Sequence, residues 1–170
     1  LPSAASPDTV ITYRIEMKDS EGLARRTAPT RVQASASCPV RMSDDDWRTV
    51  IDTNLSSVFY TCRAASRPMM RKRAGSIVNI SSIVGVHGNW GQTNYAASKA
   101  GIIGLTRYLA VTWARHGIRV NTLTPGGVER GQKSEFLARY SNRVPMGRMA
   151  RAEELVGAVQ YLASDASSYV

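Results

Sequence analysis

Two short β-branched runs separated by a long helical stretch constrain this chain more than any other feature. Ser76-Ile77-Val78-Asn79-Ile80-Ser81 is the first run, and Arg119 to Leu123 is the second. Their Val and Ile content suits buried strands. Between them lie a Gly-rich loop, Gly85 to Gln92, and a helical segment from Tyr95 to His116, stopped by Gly117. Strand alternating with helix predicts a parallel α/β sheet with right-handed crossovers. Such sheets hold ligands at the carboxyl ends of their strands. Ser82 and Pro125-Gly126 fall there.

The rest of the chain fits that frame from Ser43 onward. Ser43 followed by Asp44, Asp45 and Asp46 reads as a helix N-terminus, with a capping hydroxyl and negative charge on the positive dipole end. Trp47, Val50, Ile51, Leu55, Val58, Phe59 and Cys62 then form one apolar stripe. Pro68 is expected to kink or end this helix, and Gly75 to stop any helical continuation beyond it. Further helices are predicted over Lys133 to Tyr140 and Ala152 to Ala163. Residues 1–42 differ: they are rich in Ala, Ser, Pro, Thr and Arg, with one strand-like alternation from Val10 to Met17. Residues 22–41 read as loop or weak helix. The organisation is therefore an atypical, poorly structured segment over 1–42 and an α/β part over 43–170.

Composition narrows the function classes. Of 170 residues, 43% are hydrophobic and 21% charged, as in soluble globular proteins. The net charge of +9 raises nucleic-acid binding. Against it, the cations are scattered, and no aromatics interleave with the densest cluster, Arg67 to Arg73. No apolar run reaches the ~18 residues of a membrane span. Cys38 and Cys62 form no Cys-x-x-Cys pair, and His87 and His116 share no ligand spacing, which disfavours a metal site. A reducing cytoplasm is the expected location. Gly126-x-x-x-x-Gly131 nearly reads as a phosphate-binding loop, but Gln132 puts Lys133 out of register.

Four polar positions carry candidate chemistry. Tyr95 and Lys99 stand four residues apart on one helix face. A phenol with a pKa near ~10 is a poor acid–base catalyst at neutral pH, and a nearby cation favours its ionised form. The spacing suits proton transfer to or from a substrate oxygen. Ser82 ends the first strand, and Asn54 lies in the apolar stripe, pointing inward. Alone, Asn54 reads as a satisfied core amide and Ser82 as a turn hydroxyl.

Together these residues resemble the short-chain dehydrogenase/reductase family. The match runs through Asn54-Leu55, Asn79-Ile80-Ser81-Ser82, Tyr95-x-x-x-Lys99, and Asn121 with Pro125-Gly126. Val144-Pro145-Met146-Gly147-Arg148 and Leu162-Ala163-Ser164-Asp165 are similar to its closing region. The resemblance implies an incomplete Rossmann-like sheet with flanking helices. It also implies hydride transfer between NAD or NADP and a carbonyl or alcohol substrate. Tyr95 would be the general acid/base. Lys99 would assist its ionisation and bond the nicotinamide ribose. Ser82 would hold the substrate oxygen, and Asn54 a water linking Lys99 to solvent. Pro125, Gly126 and the Val128 backbone would lie against the nicotinamide. Helices 44–70 and 95–116 would pair copies into a homo-oligomer.

The sequence departs from that family in three places. The Gly-rich turn Thr-Gly-x-x-x-Gly-x-Gly, which brings backbone amides to a pyrophosphate, is absent before Ser43. Thr30-Arg31-Val32-Gln33 stands about where Asn-Asn-Ala-Gly is expected. Arg130 replaces a Thr that commonly comes shortly after Pro-Gly, and the chain stops where a final strand would begin. The expectation is a fragment that binds NAD(P) poorly or not at all. Two other readings stay open: a non-catalytic, helix-mediated interaction module, and a nucleotide-sugar isomerase or lyase on a related fold.

Overall fold

The computed structural model describes residues 42–170 throughout, and ahead of them only the backbone of residues 10–11, 16–18, 24–26 and 32–33. Those early pieces form two antiparallel pairs: β1 (Val10–Ile11) with β4 (Val32–Gln33), and β2 (Glu16–Lys18) with β3 (Ala24–Arg26). The strand expected over Val10–Met17 thus corresponds to two separate pieces. The residues between them, Cys38, and most of 22–41 lie outside the described residues.

The predicted α/β pattern holds from Ser43 onward. Strands β5 (Gly75–Ile80) and β6 (Ile118–Leu123) pair in parallel, with Gly75 opposite Ile118 and Ile80 opposite Leu123. Helix α4 (Thr93–Trp113) makes the crossover and continues as a 3₁₀ turn to His116. Gly117, at φ 71°, then lets the chain reverse into β6. Helices α1 (Asp44–Ile51) and α2 (Ser57–Lys72) precede β5, and α5 (Ser134–Ser141) and α6 (Val156–Ala163) come after β6. This is a partial Rossmann-like α/β fold. Cys62, Leu109, Ile118 and Val120 form its buried centre, packed by Val58, Met69, Ile77, Leu105 and Trp113.

Ser43 caps α1 as expected. Its side chain accepts the Asp46 N–H at 3.1 Å, and its own N–H reaches the Asp46 carboxylate. Pro68 does not end its helix; α2 runs on to Lys72. Proline removes the donor that would meet the carbonyl four residues earlier. That carbonyl belongs to Ala64, an exposed residue that water reaches.

The apolar stripe also needs correction. Between α1 and α2 the chain makes a π-helical turn, Asp52–Ser56, with the Ser57 N–H bonded to the Asp52 carbonyl. The inward line is Val50, Asn54, Cys62 and Ser66, all buried, with Val58 half-buried between them. Residues spaced by four drift about 40° per step around a regular α-helix, and the wider π turn offsets part of this. Trp47 and Phe59, assigned to the stripe, are left exposed. The loop expected over Gly85–Gln92 instead begins with a short helix, α3 (Val84–His87).

Candidate active site

Helix α4 brings Tyr95 and Lys99 together because one face of its first three turns is buried. Asn94, Tyr95, Ser98, Lys99 and Ile102 all face the protein interior. Lys99 is 2% exposed and Tyr95 7%. The Lys99 Nζ lies 5.7 Å from the Tyr95 ring centroid, within cation–π range. It also donates to the Ile80 carbonyl at 3.0 Å. Burial penalises the ammonium and lowers its pKa to about 8.

Asn54, at the centre of the π turn, donates through Nδ2 to Ser98 Oγ at 3.2 Å. Ser98 in turn donates to the Tyr95 carbonyl at 2.7 Å. Asn94 clamps the same turn: it donates to the Asp46 carbonyl at 3.2 Å and accepts the Tyr95 N–H at 2.8 Å. Sequence reasoning missed Ser98 and Asn94. The available signal for Ser98 was its place three residues after Tyr95, on the same helix face.

The strand ends deliver the other expected residues. The Ser81 N–H donates to the Leu123 carbonyl at 2.8 Å, and the Ile83 N–H to the Pro125 carbonyl at 3.0 Å. The two loops therefore leave β5 and β6 side by side, which sets Ser82 beside Pro125-Gly126. Ser82 Oγ accepts the Val84 N–H at 3.2 Å and makes no hydrogen bond to Tyr95 among the described residues. Ser81 Oγ donates to the Lys99 carbonyl at 2.8 Å. A Cβ on Gly85 would stand 2.7 Å from the Lys99 carbonyl carbon, so α3 rides directly on α4 at Lys99.

Val128 pairs as an isolated parallel bridge with Ala150, and its carbonyl accepts Gln132 Nε2 at 3.0 Å. Beneath the site, Asn79 Nδ2 donates to Thr106 Oγ1 at 2.9 Å, and the Cys62 thiol donates to Asn79 Oδ1. Burial raises the Cys62 pKa, which leaves the thiol an unreactive core group. Chemically, the site is a buried phenol and a buried ammonium at the carboxyl ends of parallel strands. A hydroxyl stands on the adjoining loop. Such a set can exchange a proton with an oxygen and stabilise charge on it.

The fold and these motifs define a class. A family profile described as enoyl-(acyl carrier protein) reductase matches residues 27–170. This chain belongs to the short-chain dehydrogenase/reductase family. Among individual proteins, it is 46% identical over 135 residues to the 3-oxoacyl-[acyl-carrier-protein] reductase FabG of Chlamydia muridarum, covering 77% of this chain and 54% of that protein. It is 47% identical over 135 residues to the FabG proteins of Salmonella typhimurium and Thermotoga maritima, covering 77% of this chain and 55% of each of them. The chain spans about half the length of the curated relatives it matches. Among the described residues, no helix is long and apolar enough to cross a membrane.

Proposed function

We propose that this chain carries the acid–base part of an NAD(P)-dependent oxidoreductase acting on the carbonyl of a 3-oxoacyl thioester. The observation that carries this reading is the burial of Tyr95 beside Lys99, with Lys99 anchored to the end of β5. The substrate class comes from the activity for which the FabG relatives are named. The residues present fit the nicotinamide end of a dinucleotide. Lys99 supplies a buried cation, and Gly126 offers exposed backbone without a side chain beside Pro125. Lys99, Pro125, Gly126 and Val128 would hold that end, where a bound nicotinamide would supply the hydride for the carbonyl carbon.

The protein's own groups handle the oxygen. Tyr95 Oη gives its proton to the oxygen as negative charge develops there. Ser82 Oγ donates a second hydrogen bond to the same oxygen. The Lys99 ammonium stabilises the phenolate left behind. Asn54 and Ser98 fix the first turn of α4, and Asn54 holds the water through which Lys99 exchanges protons with solvent. The test is turnover of a 3-oxoacyl thioester by the purified chain with NADPH. Tyr95→Phe should lower the rate by about 10²-fold or more at an unchanged melting temperature. A Tyr95→Phe rate within twofold of wild type refutes the acid–base role, and no turnover by the wild-type chain refutes its being catalytic by itself.

A second reading rests on exposed apolar side chains. Phe59 and Tyr60 on α2, and Tyr108 and Val111 on α4, face solvent. Arg63 lies over both α2 rings, 5.3 and 5.4 Å from their centroids. Exposed apolar surface of this kind marks an interface. Pairing of copies through α2 and α4 would cover it, with or without catalysis. Sedimentation of wild type against Tyr60→Glu and Val111→Glu distinguishes a dimer or tetramer from a monomer.

A further inference from the structure

Gly127 and Tyr140 interlock. The Gly127 N–H donates to Tyr140 Oη. A Cβ on Gly127 would stand 2.5 Å from Tyr140 Cζ and 2.6 Å from Met149 Cε. The φ of Gly127 is not positive, so its glycine is required by the neighbouring ring rather than by backbone conformation. Tyr140 stacks on Phe136 within α5, with ring centroids 6.2 Å apart and 29° between planes. From the other side, the Gly127 carbonyl accepts the Ala150 N–H at 2.9 Å, next to buried Met149. The loop after β6 is thus gripped between α5 and residues 149–150, and its only tie to α5 among these contacts is one phenol seated on one glycine.

We infer that Tyr140 is a positioning residue that fixes the Pro125–Val128 loop, with Gly127 as its socket. Its hydroxyl sets where the Gly127 amide points, and its ring occupies the volume a side chain at 127 would fill. The same loop carries Pro125, Gly126 and Val128, so the bearing of the latch on cofactor contact rests on the function proposed above.

Amide hydrogen exchange, followed residue by residue by NMR, tests the latch. Tyr140→Phe keeps the ring and removes the acceptor. The Gly127 amide should exchange at least tenfold faster, while β6 amides and the melting temperature stay as in wild type. A ring that only filled space would leave Gly127 protection unchanged, and that result overturns the inference. Gly127→Ala should lower the melting temperature in wild type and lower it by less than half as much in a Tyr140→Ala background; equal losses in both overturn the socket. Added NADPH should protect the loop amides more in wild type than in Tyr140→Phe. No NADPH effect in wild type, with Gly127 still deprotected by Tyr140→Phe, upholds the latch and refutes the cofactor-contact reading alone.

Discussion

The Lys99 ammonium sits 3.0 Å from the carbonyl oxygen of Ile80, so a charged side chain of α4 is tied to the last residue of β5 inside the protein. Burial lowers its pKa to about 8. In the unfolded chain the same group titrates near ~10.4. Between those values the unfolded chain binds more protons than the folded one, so this group's contribution to stability rises with pH. Below about pH 8 the buried charge costs roughly 3 kcal/mol relative to a lysine with no shift. The stability of wild type relative to Lys99→Met should therefore climb between pH 8 and 10. Urea midpoints of both proteins across that range check it, and a constant difference rules it out.

Asn54 and Ser98 should be energetically coupled. Ser98 is fully buried, and Asn54 Nδ2 donates to it at 3.2 Å. No buried side-chain polar atom among the described residues lacks a hydrogen-bond partner. Ser98→Ala leaves the Asn54 amide without that acceptor, at a cost of about 1–3 kcal/mol. Asn54→Ala should cost a similar amount, and the double variant about 0.5–3 kcal/mol less than the sum. Strict additivity in denaturant titrations would show that the two side chains do not work as a unit.

How far the sequence discloses this site depends on period and spacing. Strands β5 and β6 were legible because Ile77, Val78, Ile80, Val120 and Leu123 concentrate β-branched and apolar bulk between glycine stops. Tyr95 and Lys99 were legible because four-residue spacing fixes a shared helix face. The π turn at Asp52–Ser56 was not, since local sequence does not announce a changed hydrogen-bond register; it shows only in the four-residue spacing of the buried line from Val50 to Ser66. That Pro68 does not end α2 was not legible, because it depends on whether Ala64 can be solvated, which is a tertiary fact. Asn94, Ser98 and the Gly127–Tyr140 pair depend on what lies across the fold, between 13 and 48 residues away.

Arg119 should hold the last described turn to the sheet. Its guanidinium donates to the Leu162 carbonyl at 3.0 Å, the Ser164 carbonyl at 3.0 Å and Ser167 Oγ at 2.8 Å. These planar, charge-assisted bonds gather the carbonyl end of α6 onto β6. Arg119→Met keeps most of the aliphatic stem and removes the donors. It should cost about 1.5–3 kcal/mol and speed amide exchange over residues 164–170. Unchanged exchange there, with a lower melting temperature, would assign Arg119 to core packing instead.

Three glycines separate helix propensity from steric need. Gly104 is exposed on α4, with nothing within 4 Å of a Cβ built on it. Gly104→Ala should stabilise the protein by about 0.5–1 kcal/mol, because alanine loses less backbone entropy in a helix. On Gly101, a Cβ would meet Leu55 Cδ2 at 2.6 Å, the far end of a flexible side chain. Gly101→Ala should therefore cost little more than the propensity gain returns. Gly117 differs in kind: its φ is 71°, and a Cβ would lie 2.3 Å from the Arg73 carbonyl oxygen, which is backbone. Arg73 itself ends α2 in the left-handed conformation. Gly117→Ala should cost about 2 kcal/mol or more, from the left-handed penalty and the clash together. Melting temperatures should then rank Gly104→Ala above wild type, Gly101→Ala near it and Gly117→Ala well below; a Gly117→Ala protein melting with wild type would mean that neither the left-handed conformation nor the Arg73 carbonyl constrains position 117.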